Sequence, residues 1–279
     1  MRVEELQPEI AHPLFRGEFF LPLNLHALKI DFAATPEQLA LCVNRVKSVW
    51  EHLGETKPHF SVLTGTQYLP ENLDADTLES FWASGESEAA ALNEVLSNHG
   101  FKDLALKVCV EFGCGVGRVS MGFAKLFSRV HAYDISTNHL NIAGQRANET
   151  STRNAIFHAC SEHFLDDIER CDFFYSVIVF QHNPPPIIAS LISKALGSLR
   201  AGGIAIFQVP TYIVGYSFNL EKWLAADHAL DMQMHCVPQD QIFRIISSSN
   251  CRVVEVREDN WTGSPDLYIS NTFVVQKIA

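Results

Sequence analysis

Long apolar runs are absent: no stretch of the 279 residues approaches the ~18 consecutive apolar positions that a membrane-spanning helix needs. The opening Met1-Arg2-Val3-Glu4-Glu5-Leu6 has no basic-then-apolar layout, so it does not read as a secretory leader, and a soluble cytoplasmic protein is expected. Basic charge is scarce, with 21 Lys and Arg against 32 Asp and Glu and a formal net charge of −11. Phosphate backbones are bound by clustered Lys and Arg, so nucleic acid is not expected as the main partner. The seven cysteines form no C-x-x-C pair, which argues against a zinc ribbon or a disulfide framework. Cys109, Cys160 and Cys236 sit beside apolar residues and read as small reduced hydrophobes. No internal repeat or low-complexity segment is visible. What remains is 47% apolar residues at a mean hydropathy of +0.04, ample for one large α/β domain with an appendage, or for two modest domains.

Residues 1–103 read as a mainly helical region with no strand signal, a lid in which Phe81-Trp82 and Gly85 close one side of the site. Thr35-Pro36-Glu37-Gln38 carries an N-cap threonine, a first-turn proline and a capping-box glutamine. Leu39, Val43, Val46, Trp50 and Leu53 then recur at helical spacing, with Gly54 ending the run. An irregular aromatic stretch follows from His59 to Tyr68. A second helical region holds Leu78, Phe81 and Trp82, and a third holds Leu92, Val95 and Leu96 before Gly100.

From Lys107 the pattern alternates. Val108–Phe112, Val130–Tyr133, Ala155–Ala159, Phe173–Phe180 and Ile204–Val209 read as strands. Between them lie helical stripes around Val119–Phe127, His139–Glu149 and Ile187–Leu199, the last turned into its strand by Gly202-Gly203. This βαβ rhythm predicts a doubly wound, mostly parallel sheet in residues 104–279. Arg252–Glu258 and Thr272–Lys277 follow a helix around Gln241–Ile246. They are joined by a polar loop without a helix, so they must pair antiparallel.

The most informative stretch is Val110-Glu111-Phe112-Gly113-Cys114-Gly115-Val116-Gly117-Arg118. It closes a strand and opens a helix, where glycines let backbone amides approach a ligand and the helix N-terminus offers unpaired N–H groups. The spacing is G-x-G-x-G, and Arg118 stands where a dinucleotide fingerprint places its closing glycine. Asp134 ends the next strand 17 positions after Gly117, where a carboxylate can accept from both hydroxyls of a ribose.

These residues resemble the class I S-adenosylmethionine-dependent methyltransferases. Glu111 to Arg118 is similar to the family's first motif, and Tyr133-Asp134-Ile135-Ser136 to its second. Val179-Phe180-Gln181-His182-Asn183-Pro184 resembles the segment after the fourth strand, and Leu199-Arg200-Ala201-Gly202-Gly203 the turn before the fifth. The resemblance runs from about Leu104 to Lys277. It implies a seven-stranded α/β sheet with S-adenosylmethionine across the carboxyl ends of the first two strands and S-adenosylhomocysteine as product. Gly113, Cys114, Gly115 and Gly117 would face the methionine part, with Glu111 and Arg118 flanking them. Asp134 would face the ribose, and Ile135, Phe180 and Gln181 would complete the seat. Many members carry an aspartate for the adenine amine where this chain has Ser161 followed by Glu162, and either fits that role.

The implied activity is O- or N-methylation of a small molecule. His182 follows the fourth strand directly, as a general base, a substrate contact or a histidine bonded to neighbouring backbone. Tyr212 and His235 are further candidate bases. They lie in 210–237, a long aromatic connection that reads as a substrate cover, a satellite hydrophobic cluster, or both. Asn183-Pro184-Pro185-Pro186 is similar to the N-P-P-aromatic signature of amino-group methyltransferases but lacks the aromatic. It is taken instead as a helix start, with Asn183 as cap and Pro184 in the first turn. His158, Cys160 and His163 have no second ligand pair at zinc spacing, so no metal is expected. The rival readings are a non-catalytic module binding the same cofactor for a partner and an NAD(P)-dependent oxidoreductase. The oligomeric state is left open.

Overall fold

The computed structural model describes residues 27–160, 168–227, 230 and 232–278. It begins with a two-residue strand, β1 (Lys29–Ile30), that pairs in parallel with β7 (Ser217–Phe218), a strand where the sequence pattern predicts none. Helix α1 (Pro36–Thr56) starts as its residues dictate: Gln38 N–H donates to Thr35 Oγ1 at 3.3 Å, and the Gln38 side chain accepts from Thr35 N–H at 2.9 Å. It runs through Gly54 to Thr56, because Gly54 lies against Ser136 and is an approach point, not a stop. A short helix, α2 (Pro58–Val62), occupies the stretch expected to be irregular.

The second and third helical regions are one continuous helix, α3 (Ala75–Asn98), capped by Asp74 accepting from Thr77 N–H at 2.8 Å. Gly85 sits in its middle without breaking it. A Cβ there would stand 2.1 Å from the Arg118 carbonyl oxygen, so this glycine is where α3 crosses α4 (Arg118–Leu126) at close range.

Strands β2 (Val108–Phe112), β3 (Arg129–Asp134), β4 (Ala155–Ala159), β5 (Cys171–Ser176), β6 (Leu199–Ile213), β8 (Cys251–Asp259) and β9 (Tyr268–Lys277) form the expected seven-stranded sheet, in the order β4-β3-β2-β5-β6-β9-β8. All pairings are parallel up to β5–β6, while β6–β9 and β8–β9 are antiparallel. Helices α5 (Thr137–Glu149), α6 (Pro185–Ser198) and α8 (Gln239–Ser248) connect them, with the short α7 (Leu220–Ala225) after β7.

Side-chain alternation divides the core between the two faces. Val110 and Phe174 join Ile188, Leu191 and Ile192 of α6 on one face; Cys109, Phe173 and Tyr175 join Phe123, Phe127 and Leu96 on the other. Both faces are covered, which is why these strands read as unbroken apolar runs. β5 stops at Ser176, short of the predicted Phe180, because Ile178 takes a positive φ of 60° and turns the chain out of the sheet. β6 begins at Leu199, so Gly202-Gly203 lies inside a strand and not in a turn before one.

The order reverses at β2, whose neighbours are β3 and β5. Open α/β sheets bind ligands in the crevice at such a switch point, beyond the carboxyl ends of the strands. α1 also reaches this edge: Glu51 accepts from Thr137 N–H at 3.1 Å and Thr137 Oγ1 at 2.7 Å, placing a carboxylate at the N-terminus of α5.

Candidate functional site

Phe112 pairs with Tyr133, so the glycine loop and Asp134 emerge side by side from β2 and β3. Gly113 and Cys114 N–H both donate to the Tyr133 carbonyl, at 2.7 and 3.0 Å. Gly115 N–H donates to Asp134 Oδ2 at 2.8 Å, and Ser136 N–H to Asp134 Oδ1 at 2.8 Å. Asp134 is buried, and a carboxylate with two bonds made retains lone pairs for more. Gly113, Gly115 and Gly117 all have positive φ. At Gly115 space forbids a side chain as well, since a Cβ would lie 2.5 Å from Val62 Cγ2.

One cavity is lined by Glu111, Gly113, Cys114, Gly115, Arg118, Asp134 and Ile135 from this loop and the tip of β3. The N-terminal helices add Val46, Trp50, Ser61, Val62 and Glu88; β5 and its exit add Tyr175, Val177, Ile178, Val179 and Asn183; α5 adds His139, and the loop between β8 and β9 adds Trp261. Gly117 does not line it: it is the αL residue that starts α4, packed against Ala143.

The charged groups gather at the glycine-loop end. Arg118 pairs with Glu88 of α3 at 2.5 Å and donates to Ser84 Oγ at 3.2 Å. Tyr175 donates its hydroxyl to the same Glu88. Glu111 accepts from Ser120 Oγ, and burial pushes its carboxyl up to about 8. The Ser120 bond opposes that rise and the Glu88 carboxylate adds to it. Ser61 Oγ donates to the Pro58 carbonyl at 3.0 Å and shares a 2.8 Å hydrogen bond with His139 Nε2. His139 Nδ1 lies 3.8 Å from Asp134 Oδ1.

The β5 exit is anchored from below. Gln208 accepts Ile178 N–H at 2.9 Å and donates to Gln181 Oε1 at 3.0 Å and Ser270 Oγ at 2.7 Å. Gln181 is thereby held inside the protein, and Phe180 is fully buried in the core; neither lines the cavity. His182 does not line it either. Its Nδ1–H donates to the Gln233 carbonyl at 2.9 Å, and its Nε2 accepts from Gln181 Nε2 at 3.3 Å. Burial lowers its pKa to about 4 against the opposing Gln233 bond.

Asn183 is not a cap: Pro184 is the N-cap of α6 and Pro185 its first residue. The Asn183 amide instead turns back, donating to the Val179 carbonyl at 3.0 Å.

Tyr212 lies on β6 near its pairing with Ile269, away from the cavity. His235 is buried, with Nδ1 2.7 Å from the Tyr216 hydroxyl and its ring edge-on to Phe218 and Trp223. None of the described residues of 210–237 lines the cavity. Phe218, Leu220 and Val237 instead join the main core beside Cys42, Val43 and Val46 of α1, with Arg45 stacked 4.6 Å from the Trp223 ring centroid. Ser161, Glu162 and His163 lie outside the described residues. His158 hydrogen-bonds His131 at 2.9 Å and stacks on Tyr133. Trp50, Ser61, Glu88, His139, Tyr175 and Trp261 escape sequence reasoning; four of them, Trp50, Ser61, Glu88 and Trp261, lie remote from the motifs, and their only local signal is the polar or aromatic residue itself.

A sheet of this order, with a glycine bend after its first parallel strand latched to a carboxylate at the tip of the next, defines a methyltransferase fold. Residues 109–203 match the family model described as Methyltransferase domain. The chain is 26% identical over 140 residues to a ubiquinone biosynthesis O-methyltransferase of Hydrogenovibrio crunogenus, covering 50% of this chain and 55% of that one. It is 30% identical over 143 residues to the protein of the same name from Colwellia psychrerythraea, covering 51% and 54%. It thus spans about half the length of the curated relatives it matches. In fold it is similar to a magnesium protoporphyrin IX methyltransferase from Synechocystis PCC 6803, solved with bound S-adenosylhomocysteine. That TM-score is 0.57 at 16% identity, over 83% of this chain and 99% of the other.

Proposed function

We propose that this protein is an S-adenosylmethionine-dependent methyltransferase acting at oxygen or nitrogen of a small molecule. The observation that carries the reading is a convergence. Arg118 Nε, His139 Nδ1 and Asn183 Oδ1 are buried without a hydrogen-bond partner among the described residues, and all three residues line the same cavity. An unsatisfied buried polar atom costs about 1–3 kcal/mol, so three along one cavity mark it as built for polar ligands, with Arg118 and His139 on the cofactor's side.

The residues fit the cofactor. Asp134 accepts from ribose hydroxyls with His139 Nδ1 beside it, Arg118 Nε donates to the amino-acid carboxylate, and Glu111 takes the ammonium. The Gly113–Gly117 loop faces the methionine part, and Ser161 or Glu162 remains the reading for the adenine amine. S-adenosylmethionine supplies an electrophilic methyl: the acceptor's lone pair takes the carbon, and the carbon–sulfur bond breaks with its electrons on sulfur. The chain's own work is alignment and exclusion of water, for which Val46, Trp50, Phe112 and Val179 furnish apolar wall. His182, Tyr212 and His235 stand off the cavity, which speaks against them as the base; the acceptor's proton is released to bulk solvent once the methyl has moved.

Arg118, committed to Glu88, replaces the closing glycine of a dinucleotide site and speaks against the oxidoreductase reading. A cavity reaching past the loop to Asn183 and Trp261 speaks for an enzyme over a binding module. The net charge of −11 supports a small-molecule partner over nucleic acid. No helix among the described residues is long and apolar enough to cross a membrane. All seven cysteines are buried free thiols, which supports a reducing, cytoplasmic setting. Calorimetric titration with S-adenosylmethionine, with NADH fluorescence alongside, tests the reading, and labelled methyl transfer into extracts then finds the acceptor. One-site binding of the sulfonium and no response from NADH is expected; the reverse pattern overturns it.

A further inference from the structure

We infer that Asn183 selects the methyl acceptor, its Oδ1 taking a hydrogen from an uncharged O–H or N–H group borne on an apolar ring. The inference rests on the methyltransferase reading above and goes beyond it by naming the acceptor's chemistry.

The amide's orientation is fixed by its own donors. Asn183 Nδ2 donates to the Val179 carbonyl at 3.0 Å and leans to that of Phe180 at 3.5 Å. A flipped amide would set oxygen against oxygen, so Oδ1 is the atom left over. The residue is 3% exposed, and that oxygen has no partner among the described residues.

Topology separates this atom from the cofactor's seat. Asp134 ends β3, Asn183 follows β5, and β2 lies between. The charged residues lining the cavity, Glu88, Glu111, Arg118 and Asp134, come from α3, β2, α4 and β3. Tyr175, on β5 itself, turns its hydroxyl to Glu88. Beyond β5 the lining is Val177, Ile178, Val179 and Asn183, with Trp261 at the rim, 45% exposed. An ionised group there would be buried against apolar wall without a counter-charge. A neutral donor on a flat ring meets both features, its hydrogen on Asn183 and its face on tryptophan.

The loop that presents Asn183 is built to hold this geometry. Ile178, a β-branched residue, sits at φ 60°, held by the Gln208 side chain. Such outliers persist where the surroundings over-determine them, and they cluster at ligand sites. In the transfer, the acceptor's lone pair bonds to the methyl carbon as the carbon–sulfur pair stays on sulfur, and the hydrogen guided by Asn183 leaves as a proton to water. An amide oxygen is no base, so Asn183 positions without deprotonating.

The test is a calorimetric comparison on the full chain saturated with S-adenosylhomocysteine. The probes are phenol against anisole and aniline against N,N-dimethylaniline. Each pair differs by methyl groups that remove the donor and add apolar surface, so burial alone favours the methylated member. At least one parent is expected to bind about three- to tenfold tighter than its methylated form, the worth of one neutral hydrogen bond. Which parent does so tells hydroxyl from amine. Asn183→Leu should erase the preference while changing S-adenosylhomocysteine affinity less than twofold. Equal or tighter binding of both methylated probes to the unaltered protein overturns the inference, with no variant needed, as does a preference that survives in N183L. Failure of S-adenosylhomocysteine to bind would fall on the cofactor reading, and the probe pairs titrated on the free protein would still decide the role of Asn183.

Discussion

The backbone N–H of Gly115 donates to the Asp134 carboxylate at 2.8 Å, so the glycine bend and the tip of the neighbouring strand form one hydrogen-bonded unit. The side chain that offers lone pairs to a ligand's hydroxyls also holds the amides around that ligand in place. Preorganisation and recognition therefore share one carboxylate.

Asp134→Ala should lose both at once. Hydrogen bonds to a charged group contribute about 1.5–3 kcal/mol, so S-adenosylmethionine affinity is expected to fall about 10- to 100-fold by calorimetry. Amide exchange at Gly115 should accelerate in the same variant, because its acceptor is gone. Unchanged affinity would remove Asp134 from the ribose role.

His182 is expected to act as scaffold. With its pKa lowered to about 4 by burial, it stays neutral at pH 7 and binds Gln233 through Nδ1–H. A folded-state pKa below the ordinary 6.5 gives stability that is present above pH 6.5 and lost as pH falls toward 4. His182→Phe should flatten that acid-side decline, lower stability by about 1–2 kcal/mol for the lost hydrogen bonds, and leave the shape of the rate profile from pH 6 to 9 unaltered. A lost inflection near neutrality would reinstate it as a base.

Much of this was legible in the residues themselves, for a physical reason. Strand–glycine–helix junctions and the Thr35 capping box depend on contacts within a few positions, and the structure has them where the sequence puts them. The helical regions around Phe81 and Leu92 read as two but form one helix, because the polar and glycine residues between them include Gly85, a close crossing that only the approach of the Arg118 carbonyl reveals. Gln181 and His182 were placed correctly along the chain but not around it. A turn at Ile178 with positive φ points them at Gln208 and Gln233, and no local pattern announces a left-handed isoleucine. Glu88, Ser61 and Trp261 could not be found at all without knowing which elements meet at the β2 edge.

Two glycines in helices should respond in opposite directions to the same substitution. Gly85→Ala drives a Cβ to 2.1 Å from the Arg118 carbonyl, forcing α3 off α4 and stretching the Glu88–Arg118 pair. A loss of about 1–3 kcal/mol or more is expected in urea unfolding. At Gly144 in α5 an alanine methyl would meet nothing within 4 Å, so Gly144→Ala should stabilise by up to about 1 kcal/mol. Equal effects at the two sites would contradict the crossing.

Glu111 ties the charge of the site to pH. Burial raises its carboxyl to about 8, Ser120 pulls it down, and Glu88 pushes it further up, while Arg118 is already engaged by Glu88. In the unfolded chain the same group ionises near 4.5. The folded protein therefore keeps a proton that the unfolded chain gives up, so stability is greatest below pH 4.5, declines up to about 8, and levels off above. Glu111→Gln cannot ionise and still accepts from Ser120. Its advantage over the unaltered protein should grow across that window, toward an upper bound of about 5 kcal/mol at 1.36 kcal/mol per pH unit. A cation seated beside Glu111 reverses the preference, so binding S-adenosylmethionine at pH 7 should expel this proton. Calorimetry in phosphate and in Tris, buffers of different ionisation enthalpy, should then give different apparent heats for the unaltered protein and matching heats for Glu111→Gln. Identical heats in both buffers for the unaltered protein would mean that Glu111 does not meet the cofactor's ammonium.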